Sequence, residues 1–242
     1  MIEGPDLVEA ALASGVEFEA LFVDLEKVDG ATATLIGRAE SAGVRTFALD
    51  GAVFERVADT KTPQGLLASV RLPIADLDAL TGALTVLVLC DVQDPGNAGT
   101  IIRSSDASGA SAVVFCGQSV DPFNPKTMRA SAGSVFHVPI VVADFDALRA
   151  FCRREHIQLV ASVARGGANP REVDLARPSA LMVGNEATGL SPSEISAADL
   201  VVTIPMAGSA ESLNAGVAGS LLAFETMYQR EGAADDAPRS SL

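Results

Sequence analysis

The chain has 242 residues, enough for one large domain or two modest ones. Hydrophobic residues make up 48%, Trp is absent and Tyr occurs once, a composition expected of an α/β protein rich in Ala, Val, Leu and Gly. The net charge of −14 argues against a binder that is basic all over, and no apolar run approaches the roughly 20 residues that cross a bilayer.

The first 72 residues read as a small α/β unit. A helix pattern over Asp6–Ser14 stops at Gly15, and a strand-like run follows at Phe18–Leu25. Thr32–Ala42 is helical, Val44–Leu49 a strand, Gly51–Ala58 a short helix and Leu66–Leu72 a strand after the turn-rich Thr60–Gly65 loop. Residues 73–83 read as a linker. From Leu84 apolar strands recur at Leu84–Cys90, Ala112–Cys116, Val138–Val142, Ile157–Ala161, Ala180–Val183 and Leu200–Ile204. Helix patterns lie between them, one opened by Asn124-Pro125 and one by the capping box Ser191–Glu194. Continuous apolar strands alternating with helices predict a mostly parallel sheet covered on both faces. A long helix is expected from Ser209 to about Arg230, with a disordered tail over 231–242. Cys90, Cys116 and Cys152 are far apart in apolar contexts, and no secretory leader is read at the N-terminus. Together these predict a cytoplasmic protein with reduced, buried thiols and no metal site.

In a parallel sheet, ligands sit beyond the C-terminal strand ends. Three polar, Gly-rich segments follow strands here: Asp91–Arg103, Gly184–Ser191 and Ile204–Ala215. Taken singly, each has a bland reading as a turn or a helix cap. His137 and His156 make no nucleophilic triad, and Gly166-Gly167 is no phosphate cradle. In this order and spacing the segments resemble the three motifs of the SpoU (TrmH-like) family of SPOUT RNA 2′-O-ribose methyltransferases. The matching strings are Asn97-x5-Arg103, Gly184-Asn185-Glu186-x2-Gly189-Leu190 and Ile204-Pro205-Met206-x5-Ser212-Leu213-Asn214. Residues 1–72, with Glu3-Gly4-Pro5 and Thr62–Gly65, resemble the L7Ae/L30e-like substrate-binding domain that precedes the catalytic domain in many members.

The resemblance implies a trefoil-knotted α/β catalytic domain over 84–230, a homodimer, and S-adenosylmethionine as cofactor without a metal. It assigns Gly184, Ile204, Leu213, Met206 and Glu186 to cofactor binding. Arg103 is assigned to the reacting hydroxyl or its phosphate, with Asn97 and Asn214 orienting it and Ser212 and Glu186 completing the polar shell. Glu186 reads equally as a catalytic group and as a loop-stabilising carboxylate. Arginine is a poor general base, so phosphate binding and stabilisation of the developing alkoxide fit Arg103 better. The implied substrate is structured RNA, 23S ribosomal RNA before transfer RNA, with a catalytically silent RNA-binding factor or a small-molecule methyltransferase as alternatives. Lys126, Arg129 and Arg165, extended by Arg38, Arg45, Arg56, Lys61 and Arg71, form the expected basic track on an otherwise acidic chain. The family has a strand before the position of Glu3, for which only Met1-Ile2 remain.

Overall fold

A computed structural model describes residues 1–82 and 84–235. The N-terminal part is a four-stranded sheet of β1 (Ile2–Glu3), β2 (Phe18–Asp24), β3 (Thr46–Leu49) and β4 (Leu66–Val70), in the order β1-β4-β2-β3. The reduced first strand does form: Ile2 pairs antiparallel with Ala68 and is buried. Three helices accompany this sheet, α1 (Pro5–Ser14), α2 (Gly30–Ser41) and α3 (Gly51–Val57). Helix α2 starts before its apolar pattern does, because the Asp29 carboxylate accepts the Thr32 N–H at 2.7 Å and caps it.

The second sheet has seven strands, β5 (Ile74–Ala75), β6 (Thr85–Cys90), β7 (Ala112–Cys116), β8 (Ile140–Val142), β9 (Gln158–Ser162), β10 (Ser179–Val183) and β11 (Leu200–Val202). Their order is β11-β9-β10-β6-β7-β8-β5, and every pairing is parallel. All residues of β6, β7 and β10 are buried, as expected of strands covered on both faces. Helices α4 (Pro95–Ala107), α5 (Pro125–Ala130) and α8 (Ala215–Asp235) cover one face, where Ile101, Met128 and Leu222 pack with Leu87 and Leu89. Helices α6 (Phe145–Arg154) and α7 (Pro192–Ala197) cover the other, where Leu148, Phe151 and Ile195 meet Val86 and Val88. In the described residues no helix is long and apolar enough to cross a membrane.

Strand order decides where a ligand can sit. From β6 the chain builds outward through β7 and β8, then crosses to β9 and β10 on the other side of β6. The point where the direction reverses lies between β6 and β10, and the loops leaving these two strands part there. From the edge strand β11 the chain then returns across the strand ends to α8, which packs over β10 and β6.

Three expectations change. The 73–83 segment is no plain linker: β5 adds to the large sheet beside β8, and Leu80 in the turn Leu77–Leu80 is buried. The last helix starts at Ala215 rather than after Ser209, because the Asn214 side chain accepts the Val217 N–H at 3.2 Å as its cap. It also runs through Gly232 to Asp235, since one glycine among helix-favouring neighbours does not end a helix. The rest of the expected tail, 236–242, lies outside the described residues. The three cysteines are buried free thiols; burial pushes Cys116 and Cys152 up to about 12, and Cys90 up as well.

Candidate active site

The loops after β6, β10 and β11 converge where the strand order reverses. The turn Asn185–Gly189 closes on itself through paired backbone hydrogen bonds of 3.2 and 2.9 Å. A Cβ on Gly184 would fall 2.3 Å from the backbone of Gly189 and Leu190, so only glycine lets this loop fold back so tightly. A cleft of about 340 Å³ opens beside it. Its walls include Gly184, Glu186, Ile204, Met206, Ser212 and Leu213, drawn from two of the three sequence segments. Apolar side chains and a run of loop backbone suit a flat heterocycle that needs both stacking and hydrogen bonds.

The third segment, at the start of α4, is joined to this cleft by side chains. Asp94 caps α4 through the Asn97 N–H at 2.8 Å, with Pro95 at the first helical position. The Glu186 carboxylate accepts the Gln93 N–H at 3.2 Å, the Asp94 N–H at 3.1 Å and the Asn97 side-chain amide at 2.9 Å. The Asn97 carbonyl oxygen in turn accepts the Asn214 amide at 2.8 Å. One line of hydrogen bonds, Glu186–Asn97–Asn214, therefore ties all three segments together. Burial pushes the Glu186 carboxyl up, but the Asn97 amide and the N–H groups of Glu186, Gln93 and Asp94 outweigh it and hold the group below its ordinary value.

Nine assigned residues divide into three groups. Gly184, Ile204, Met206, Ser212, Leu213 and Glu186 line the cleft. Asn97 and Asn214 turn their amides toward Glu186 and each other rather than toward Arg103. Arg103 is exposed on α4, roughly 9 Å along the helix from Asn97, and is not in the cleft wall. It makes no ion pair among the described residues. Of the expected basic track, Arg38 is engaged by Glu9 at 2.7 Å and Arg71 by Glu17 at 3.3 Å. Arg56, Lys61, Lys126, Arg129 and Arg165 form no ion pair among the described residues.

Sequence reasoning gave Asn185 no role. Its amide donates to the Asp91 carbonyl at 2.8 Å, and its carbonyl oxygen accepts the Ala187 N–H at 2.9 Å. It thus fixes the loop after β10 to the end of β6. The signal was an Asn opening a tight turn, where its side chain mimics backbone.

A doubly covered parallel sheet with a loop-built cleft at the switch point, joined to a small α/β unit, defines a two-part ligand-binding α/β enzyme class. The profile described as the SpoU rRNA Methylase family matches residues 84–224, and that of the RNA 2′-O ribose methyltransferase substrate-binding domain matches residues 1–74. The chain belongs to the SpoU rRNA methylase family. It is 35% identical over 225 residues to the 23S rRNA (guanosine(2553)-2′-O)-methyltransferase RlmP of Bacillus subtilis (strain 168), covering 93% of this chain and 86% of the relative. It is similar to the SpoU methyltransferase AviRb from Streptomyces viridochromogenes, with a TM-score of 0.85 at 28% identity over 96% of this chain and 90% of that one. It is also similar to the AdoMet-bound rRNA methyltransferase from Sinorhizobium meliloti, with a TM-score of 0.82 at 30% identity over 93% and 85%.

Proposed function

We propose that this chain transfers a methyl group from S-adenosylmethionine to a ribose 2′-hydroxyl of 23S ribosomal RNA, acting as a homodimer in the cytoplasm. The observation that carries this reading is the Glu186–Asn97–Asn214 line, which sets three family motifs around one cleft. Ile204, Met206 and Leu213 supply apolar walls for the adenine, and the loop from Gly184 supplies backbone hydrogen bonds. When bound, the cofactor brings an electrophilic methyl on a sulfonium, so the transfer needs no metal. What remains for the protein is to hold the ribose hydroxyl in line and to stabilise the oxygen as its proton leaves.

Arg103 is the free cation nearest in sequence to the cleft's supporting residues. Its guanidinium is a permanent charge with a planar fork, suited to a phosphate or a developing alkoxide and unsuited to removing a proton. Its exposure fits a residue that meets its partner only when RNA arrives. Residues 1–72 are the RNA-binding unit in this reading, and 84–230 the catalytic one. RlmP of Bacillus subtilis and RlmB of Bordetella pertussis, which both span most of this chain, are named 23S rRNA methyltransferases, which favours ribosomal over transfer RNA.

The dimer reading rests on α8. Val217, Leu221 and Tyr228 leave an apolar stripe along this helix, exposed by 45%, 47% and 60%. Leu221 and Ile204 share a second cavity of about 430 Å³, and Ile204 also walls the cofactor cleft. A second copy seated on the stripe would therefore border the cleft.

The test is transfer of labelled methyl to 23S rRNA that lacks the modification. Label should appear as a 2′-O-methylnucleoside. Arg103→Ala should lower turnover about 100-fold with cofactor affinity unchanged, and Arg103→Lys should not restore it. Cofactor binding without label in any RNA would overturn the substrate assignment.

A further inference from the structure

At the N-terminal ends of β9, β10 and β11, away from the cleft, Arg153, His156 and Arg177 line a cavity of about 350 Å³. Among the described residues, carboxylates hold Lys27, Arg38, Arg71, Arg154 and Arg171, and the other arginines and lysines form no ion pair. Arg154, the neighbour of Arg153, is held by Asp78 at 2.7 Å and Glu155 at 2.9 Å. Arg153 and Arg177 are exposed and have no carboxylate partner among the described residues. The one acid in the cavity wall, Asp199, has an oxygen engaged by the Leu159 N–H at 2.8 Å.

A second observation is conformational. His156 has φ 58, in the left-handed region just past the end of α6. Glycine is the usual residue at such a helix stop, as Gly15 is after α1 with φ 75. Here the chain instead places an imidazole at a strained position, in the same cavity wall as two unpaired arginines.

We propose that this pocket binds a backbone phosphate of the same RNA whose ribose enters the cleft. The inference rests on the RNA reading above. Two guanidiniums and an imidazole offer several N–H donors against two side-chain acceptors in the wall, the Asp199 carboxylate and the Gln158 amide oxygen, which suits a phosphodiester. The span also fits. Strand β11 starts at Leu200, in this pocket, and the chain just beyond its end reaches Ile204, in the cleft wall; four steps of extended chain cover at most roughly 13 Å. Ala168 is hydrogen-bonded to Val201 and Thr203 along the outer side of that strand, so one RNA segment passing over this covering loop would reach both sites. The contact fixes the register of the substrate without reading its bases.

The experiment measures affinity for a fluorescently labelled in vitro transcript of 23S rRNA against salt, with cofactor binding measured in parallel. The Arg153→Ala/Arg177→Ala double variant should bind several-fold more weakly and flatten the log–log salt slope by about 1, as expected for the loss of one phosphate contact. His156→Gly removes the imidazole and relieves the backbone, so it should weaken RNA binding while its Tm stays level or rises. Cofactor affinity should match the parent protein in both. Unchanged RNA affinity and slope in the variants, with the parent binding normally, would overturn the pocket alone. No salt-sensitive RNA binding by the parent would overturn both the pocket and the RNA reading. If inorganic phosphate stabilises the parent and not the double variant, yet RNA affinity is equal, the pocket takes free phosphate and the RNA proposal falls.

Discussion

The carboxylate of Glu186 accepts three hydrogen bonds, from the Gln93 and Asp94 N–H groups at the start of α4 and from the Asn97 amide. An anion at a helix N-terminus is favoured by the helix dipole as well as by the N–H groups it satisfies. The result is an acid held below 4.5, ionised near neutrality and weak as a base. These contacts favour, of its two readings, the loop-stabilising carboxylate over the proton acceptor. Glu186→Gln turns one acceptor into an NH₂ facing an N–H donor. The variant should lose about 1 kcal/mol of stability, since water screens much of this exposed group. It should raise the cofactor Kd several-fold while leaving kcat at saturating cofactor nearly unchanged; a kcat collapse with normal Kd would restore the proton-acceptor role. The pH dependence follows from the lowered pKa. The stability supplied by Glu186 is fully present above 4.5 and is lost as pH falls through the lower folded-state value, so denaturation curves of the two proteins should converge only in acid. The motif spacing in the sequence singled out Asn97, Glu186 and Asn214, yet not what they touch. Their partners lie 89 and 117 positions away, a distance that local pattern cannot bridge.

Helix α4 carries the cap that Glu186 holds, and it is pressed against α5 at Gly99. A Cβ there would stand 2.4 Å from the Ala130 Cβ and 2.6 Å from the Thr127 carbonyl oxygen. The second of these is backbone and cannot swing aside, so Gly99→Ala must push the helices apart. Overpacking of this kind costs about 1–3 kcal/mol, and the better helix propensity of Ala returns at most about 1. The Tm should fall by roughly 3–6 °C in a chain of this size. Because Asp94–Asn97 move with the helix, calorimetry should also find weaker cofactor binding; an unchanged Tm would show that α4 and α5 yield more easily than their contact suggests. The strands of the large sheet were legible because residues buried on both faces leave a continuous apolar run, as in Thr85–Cys90. The start of α8 was placed too early, since Ser209–Leu213 carries no strong helix breaker, although a helix cap was one reading of this segment and Asn214 is that cap. Nor was β5 legible: two residues make no pattern, and only their pairing with Ile140 and Val141 makes them a strand.

The chain carries a net charge of −14, while its proposed functions need two associations of opposite electrostatic sign. Joining two copies brings two acidic surfaces together, and that repulsion is long-ranged and screened by salt. Attraction across the α8 stripe is apolar and survives screening. RNA binding runs through local cations on an acidic background and weakens as salt rises. Raising ionic strength should therefore tighten the dimer and loosen the RNA complex in the same buffer series. Sedimentation should follow the first trend and fluorescence anisotropy the second. Leu221→Asp isolates the first: with Leu221 47% exposed in one copy, an aspartate there forfeits about half the full burial energy of a leucine, about 0.7–1.5 kcal/mol per copy, and adds an unpaired charge to the interface. The variant should sediment as a monomer at concentrations where the parent is a dimer, with its Tm little changed because Leu221 is 47% exposed within one copy. Since Ile204 connects the stripe to the cleft, monomerisation should also weaken cofactor binding. A parent that is monomeric at every salt concentration, or a Leu221→Asp protein that dimerises as the parent does, would remove α8 as the contact between copies.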